Sequence, residues 1–256
     1  MPDQQHEALI RRTFEQQVPI FTGPGSVFAQ RPEGSLSWIE PLADDMIVLD
    51  VACGAAHAAE PVAPRVRQIV GVDLTPALLR LGHDRLREAG ITNVLLQEAN
   101  AEALPFLDES FDVVYCRASL HHFADPRRAV DEMFRVCRVG GRVVISDLIA
   151  PVPDARDEFD HIHRLLDPSH VRAFTGDELV NLVPGGVEGM SYADTNTLRL
   201  PVEGVIGEHS DGDAAVALLR EEAAGNVHPT GFGPVVENDQ TVVSFVMCVV
   251  HAERAS

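Results

Sequence analysis

The sequence predicts an α/β fold built on a doubly wound, mostly parallel sheet with helices on both faces. Three observations carry this expectation. Short continuous apolar runs, such as 46–52 (MIVLDVA), read as strands covered on both sides. Between them lie segments long enough for helices, with apolar residues at helical spacing. The alternation persists through five strands between residues 46 and 149, the pattern of βαβ units whose right-handed crossovers place helices on both sides of a sheet.

Residues 1–35 are mixed. A short amphipathic start leads into a loop containing Gly, Pro and Ser (22–35), and helix is expected to resume over 36–42. The first strand is 46–52, and 55–61 suits a short helix. Residues 68–73 (QIVGVD) form a second buried strand. A helix over 75–90 has Thr75 to cap it, Pro76 in its first turn and Gly90 to end it, with Leu78, Leu79, Leu81 and Leu86 on its apolar side. Strands three and four are 93–97 and 111–116 (FDVVYC). A helix over 126–139 faces Ala129, Val130, Met133, Phe134 and Val136 inward and stops at Gly140-Gly141, and 142–149 is the fifth strand.

After Pro151 the regular alternation ends. Helix is expected over 154–167, a helix start at Thr175–Glu178, a strand within 187–200, a helix over 213–224 and a strong last strand at 241–250 (TVVSFVMCVV). The organisation read from this is an N-terminal cap (1–35), a cofactor-binding core (36–150), and a substrate lid with the remaining strands (151–256), all one domain.

The formal net charge of -19 repels phosphate-rich partners, so the expected partner is a small molecule rather than nucleic acid or a membrane. The four cysteines, Cys53, Cys116, Cys137 and Cys248, form no CxxC pair and no zinc spacing, and read as reduced structural thiols. The N-terminus lacks an apolar signal region, and no apolar run approaches the roughly 18 residues of a membrane span. A cytoplasmic protein without a metal is the expectation.

Two features suggest a nucleoside-containing cofactor. The first strand runs into Asp50-Val51-Ala52-Cys53-Gly54-Ala55-Ala56-His57, a small-residue turn that lets backbone approach a ligand closely. Asp73 ends the second strand, where a carboxylate accepts from both hydroxyls of a ribose. NAD and S-adenosylmethionine both fit so far. An NAD fingerprint aligned on Gly54 needs glycine near 52, 54 and 57, but these are Ala52, Gly54 and His57. Asp50, just before the turn, would repel a pyrophosphate but accept from an ammonium group.

Further along stand 99–106 (ANAEALPF), Ser110–Tyr115 with Ser119-Leu120-His121-His122-Phe123, and Gly140-Gly141-Arg142-Val143. Together with 48–79 these motifs resemble those of class I S-adenosylmethionine-dependent methyltransferases over about residues 46–150. The branch most similar is that of the quinone-biosynthesis methyltransferases, to which 14–21 (FEQQVPIF) and 167–172 (DPSHVR) also bear likeness. The resemblance implies a Rossmann-like sheet of seven mostly parallel strands with an antiparallel edge strand and a helical lid. It implies S-adenosylmethionine as cofactor and S-adenosylhomocysteine as product. By position, Ala52, Gly54 and Ala56 line the methionine part. Asp73 holds the ribose, Leu74 packs on the adenine, and Asn100 and Ala101 meet its edge. Arg117 and Ala118 border the sulfonium, and Phe14 and Phe21 close the pocket. The chain departs from the pattern at Ala52 and Ala56, where glycines are usual, and at Asn100, where an aspartate is usual.

The function expected is methyl transfer to oxygen or carbon of a small acceptor; a homodimer is one possible assembly, and the oligomeric state is left open by the sequence. Alternatives are a methyltransferase fold that transfers no methyl, such as a cyclase or silent subunit, and an NAD-dependent oxidoreductase, disfavoured by His57. His122, then His121, are the candidate general bases, since both follow strand four, where the acceptor belongs. Asp160, His161, His163 and His170 form a second polar group, of which Asp160 and His163 share a helix face. A metal site is conceivable there, but a substrate-facing lid or a solvated face is the preferred reading. Trp38 reads as core or pocket wall.

Overall fold

The computed structural model describes residues 2–19, 36–184, 191–202, 206 and 211–255. Among these, strands β1 (Ile47–Val51), β2 (Gln68–Asp73), β3 (Val94–Glu98), β4 (Phe111–Arg117), β5 (Cys137–Ile149), β6 (Ser191–Pro201), β7 (Val235–Glu237) and β8 (Gln240–Glu253) build one sheet in the order β3-β2-β1-β4-β5-β8-β6, with β7 also paired to β8. β1 to β5 are parallel throughout. β8 runs antiparallel to both β5 and β6. The antiparallel strand expected at the edge therefore lies one place in from it, because β6 adds outside β8.

The helices are α1 (Pro2–Gln16), α2 (Ala59–Val62), α3 (Pro76–Glu88), α4 (Pro126–Val136), α5 (Arg156–Leu166), α6 (Gly176–Asn181) and α7 (Gly212–Ala223). Period-two alternation along the strands feeds two cores. Leu49, Val51, Val114 and Cys116 pack with Val130, Met133 and Phe134 of α4. Val48, Ile69 and Tyr115, on the other face, pack with Ala59 and Val62 of α2 and Leu86 of α3. A third core, including Phe159, Leu166, Leu219, Phe232 and Val243, joins α5 and α7 to the far end of the sheet. All four cysteines are buried and free.

Several local expectations shift for identifiable reasons. Residues 36–39 form a turn, not a helix. Pro41 follows closely and disfavours helical backbone at the residue before it. The fourth helix ends at Val136, and Cys137 already has extended backbone (φ -73°, ψ 137°), so Gly140 and Gly141 lie inside β5. Thr75 takes the N-cap position of α3, yet its side chain makes no capping bond. Thr175 does cap α6, in a reciprocal pair with Glu178. β7 and β8, of which only the second was expected, join through Asn238-Asp239, both left-handed (φ 50° and 66°) as a two-residue hairpin turn requires.

The order of strands reverses between β1 and β4. In an open α/β sheet this opens a crevice at the carboxyl ends of those two strands. Asp50 to Gly54 and Arg117 to His122 converge there.

Candidate active site

The turn after β1 is defined by three left-handed residues, Ala52 (φ 56°), Gly54 (φ 52°) and Ala56 (φ 59°). A Cβ at Gly54 would meet only Leu78 Cδ1, at 3.9 Å, so the space beside that glycine is open. Ala52 is half-buried, whereas the methyl of Ala56 is buried in the α2 core.

Asp73, at the tip of β2, locks this turn. Its Oδ2 accepts the Gly54 N–H at 2.8 Å and its Oδ1 the Thr75 N–H at 2.8 Å. Burial raises its pKa, and those two hydrogen bonds offset part of the rise. Each oxygen retains a second lone pair. Leu74 is half-buried beside it.

Asp50 is buried at 2% exposure, and its Oδ2 has no hydrogen-bond partner. Burial pushes its pKa up to about 7. The neighbouring Tyr115 hydroxyl works against that rise, the Asp73 charge adds to it, and Arg117 lowers it. The Arg117 guanidinium lies 5.7 Å over the Trp38 ring, which in turn packs edge-on against Tyr115, so Trp38 is a wall and not a free aromatic. Ala118 is left-handed (φ 52°) and its N–H donates to the Ser146 carbonyl.

α1 is tied across the mouth of this crevice. Arg11 pairs with Glu98 at 2.6 Å, Asn100 Nδ2 donates to Glu7 at 2.8 Å, His6 Nε2 donates to the His122 carbonyl at 2.6 Å, and Gln17 meets Asp167. Phe14 stands edge-on to His122, 5.1 Å between centroids. Asn100 is thus already engaged: its Oδ1 also accepts the Glu102 N–H. Ala101 follows it, half-buried. Phe21 lies outside the described residues.

His121 and His122 form a 3₁₀ turn after β4, both buried. His122 Nδ1 lies 3.0 Å from Ser169 Oγ, and Ser169 Oγ donates to Asp167 Oδ1 at 2.6 Å. The single hydroxyl proton is spent on Asp167, so Ser169 accepts from His122 Nδ1–H, and His122 Nε2 carries the lone pair. Burial lowers the His122 pKa, while Asp167 pulls against that. Burial would raise Asp167, but His122 and the Ser169 hydrogen bonds outweigh it and hold the carboxyl low.

His121 Nδ1 meets Asp147 Oδ1 at 2.6 Å. Asp147 is fully buried and also accepts the Leu120 and Leu148 N–H groups. Its pKa is raised by burial to about 6, so it is ionised at neutral pH and His121 donates from Nδ1. The segment after α5 is anchored here too, because the Val171 and Arg172 N–H groups both donate to the His121 carbonyl.

Asp147 is not among the residues expected from the sequence, and Asp167 and Ser169 stand there only as part of the 167–172 element, with no role at His122. Asp147 interrupts the otherwise apolar run VVISDLI of β5, and a carboxylate there is a signal in itself, since a buried one needs partners. Asp160, His163 and His170 are all buried, which corrects the expectation of a solvated face for them. Asp160 bonds His170 and the Ala173 N–H, and His163 stacks on His170, so the group turns inward. His161 is exposed.

The comparisons with known proteins bear on the family of the chain. A family model described as a methyltransferase domain matches residues 49–145. The uncharacterized methyltransferase YcgJ of Bacillus subtilis is 39% identical over 157 residues, 61% of this chain and 61% of YcgJ. The uncharacterized protein YafE of Escherichia coli is 32% identical over 197 residues, 76% of this chain and 94% of YafE. A demethylmenaquinone methyltransferase of Clavibacter sepedonicus is 35% identical over 164 residues, 64% of this chain and 62% of that enzyme. The chain thus spans less than two thirds of the length of YcgJ and of the Clavibacter enzyme in these matches. The crystal structure of YcgJ superposes with a TM-score of 0.73 over 84% of this chain and 94% of that one, at 27% identity. No helix among the described residues is long and apolar enough to cross a membrane. The chain belongs to the class I S-adenosylmethionine-dependent methyltransferases.

Proposed function

We propose that this chain methylates an oxygen or an activated carbon of a small neutral or cationic acceptor, with His122 as general base. The observation that carries the reading is the chain Asp167–Ser169–His122, which leaves His122 with a basic Nε2 at the end of β4.

The residues of the crevice fit the cofactor. Asp50 offers a buried oxygen without a partner, suited to an ammonium group, and the open side of Gly54 admits a ligand against the backbone. S-adenosylmethionine, when bound, supplies an electrophilic methyl group on a sulfonium, and S-adenosylhomocysteine is left after transfer. Ala52, Gly54 and Ala56 shape the turn against its methionine part through their backbone. Asp73 accepts from the ribose hydroxyls with its remaining lone pairs, Leu74 covers the adenine, and Asn100 and Ala101 meet its edge. Arg117 and Ala118 border the reacting end.

The protein's own contribution is positional. α1 and Phe14 cover His122 and exclude water, which favours a reaction in which charge is dispersed. His122 Nε2 removes a proton from an acceptor hydroxyl or carbon acid as the methyl bond forms, and Asp167, through Ser169, stabilises the imidazolium that results. Such positioned proton transfer contributes roughly 10²–10⁴-fold. The similarity to an enzyme named demethylmenaquinone methyltransferase makes quinols and phenols the first acceptors to try.

The test is incubation with methyl-labelled S-adenosylmethionine and a panel of quinols, phenols and carbon acids, read by mass spectrometry. A singly methylated product that falls away in His122→Asn supports the reading. Turnover at full rate in that variant overturns the base assignment.

A further inference from the structure

Three imidazoles meet on the lid side of β4. His121 comes from the 3₁₀ turn, His163 from α5 and His170 from the loop after it, and one nitrogen of each lies within 4.8 Å of the others. None is more than 6% exposed. Two of the rings are oriented by buried carboxylates: His121 Nδ1 by Asp147 and His170 Nε2 by Asp160, each at 2.6 Å. That leaves His121 Nε2 and His170 Nδ1 on the other side of their rings. His170 Nδ1 and His163 Nδ1 are buried with no hydrogen-bond partner.

Packing alone does not account for this arrangement. Apolar side chains would fill the same space without orphaning buried nitrogens. The carboxylates are themselves fixed by backbone N–H groups, Asp147 by Leu120 and Leu148, Asp160 by Ala173. A carboxylate bonded to the far nitrogen of a ring is how metal-binding histidines are set in tautomer and direction. Phe159, Phe232 and Phe245 surround His163 with a dry wall. Burial lowers His121 and His163 well below the ordinary histidine value, so both rings are neutral and carry lone pairs at pH 7.

We propose that His121, His163 and His170 bind a divalent transition-metal ion, with Asp147 and Asp160 as positioning residues. An all-imidazole set suits zinc and its neighbours in the first transition row over magnesium or calcium. Zinc–nitrogen bonds of about 2.0–2.1 Å place tetrahedral ligands about 3.4 Å apart, so binding requires the triad to tighten by up to roughly 1.4 Å and the stacked His163 and His170 rings, 20° apart in plane, to turn until both in-plane lone pairs meet one ion. Three protein ligands leave a fourth position. The His122 ring, 4.0 Å from that of His121, is the neighbouring group. The sequence groups His163 and His170 with Asp160 but does not join His121 to them, because its ligands are 42 and 7 residues apart and only the fold closes them together.

The experiment strips the full chain with a chelator, dialyses it against zinc, desalts it and measures zinc per chain by elemental analysis, alongside S-adenosylmethionine affinity on the same sample. About one zinc per chain is expected in the wild type and less than a tenth of that in His163→Gln and His170→Gln, with folding checked by circular dichroism. Asp160→Asn should weaken zinc by roughly 10–100-fold. Trace zinc in the wild type, or equal loading in all variants, overturns the proposal. Should the variants misfold, X-ray absorption of the zinc-loaded wild type decides: a shell of three imidazoles supports the site, and an oxygen-only shell overturns it. A wild-type chain that takes up no zinc yet binds S-adenosylmethionine loses the metal site and keeps the methyl-transfer reading.

Discussion

His122 and Ser169, 47 residues apart in the chain, meet at 3.0 Å in a buried contact that joins the loop after β4 to the segment after α5. Because Ser169 also donates to Asp167, the contact fixes which nitrogen of His122 is basic. Under the proposed mechanism, the catalytic step and the docking of the segment after α5 therefore depend on one hydrogen-bonded chain.

Substitutions along that chain should act on turnover more than on substrate binding. His122→Ala is expected to lower kcat by about 10²–10⁴-fold. Ser169→Ala should lower it by a smaller factor and shift the pH at which kcat rises. Steady-state kinetics across pH 5–9 on an identified acceptor would check both, and an unshifted profile in Ser169→Ala would contradict the relay.

Asp50 should make cofactor affinity depend on pH. Its folded-state pKa is about 7, and binding an ammonium group requires the ionised form. Affinity for S-adenosylmethionine should therefore fall as pH drops below 7, approaching about tenfold per pH unit, and level off above it. Asp50→Asn should bind weakly with no such slope. Calorimetric titration from pH 5.5 to 8.5 distinguishes the two curves.

The same residue should weaken the free fold at high pH. Asp50 has a folded pKa raised above its ordinary value of 3.8, so the folded chain holds a proton between about pH 4 and 7 that the unfolded chain has lost. Stability from this group thus decreases as pH rises through that window. Asp50→Asn should raise the melting temperature of the ligand-free protein at pH 8 and have little effect at pH 4. Thermal melts at the two pH values would show it, and equal shifts at both would refute it.

Much of the fold was legible because apolar runs and helix caps are local signals. β2 begins and ends where its QIVGVD run does, and Asp73 stands at its tip as expected. The crevice was legible for the same reason, since its residues follow strand ends. What the sequence could not display were side chains brought together from distant elements. Asp147, Asp167 and Ser169 acquire their roles only by facing His121 and His122, and no spacing encodes that. Arg117 stacking on Trp38 is similar, because the turn over 36–39 replaces the helix expected there.

The alanines of the β1 turn should respond differently to glycine. A left-handed non-glycine residue costs roughly 1–2 kcal/mol, partly offset by the extra freedom glycine has when unfolded. Ala52→Gly should stabilise the fold by roughly 0.5–1 kcal/mol. Ala56→Gly should gain almost nothing, since its methyl is buried and losing it costs about 0.8 kcal/mol. Urea unfolding of the two variants provides the comparison.

Core packing gives an independent check on the sheet assignment. Met133 of α4 is fully buried against β1 and β4. Met133→Ala should destabilise the protein by about 2–5 kcal/mol, measured by chemical denaturation, and a cost below 1 kcal/mol would argue against the packing described.

The most direct measurement is titration of S-adenosylmethionine into wild-type protein and Asp73→Ala at pH 8. Saturable one-to-one binding by the wild type, weakened at least about tenfold in a folded Asp73→Ala chain, is the expected outcome, since hydrogen bonds to a charged group contribute about 1.5–3 kcal/mol. Equal affinity in the two proteins, or no binding by the wild type, would contradict the assignment of the crevice between β1 and β4 as the cofactor site.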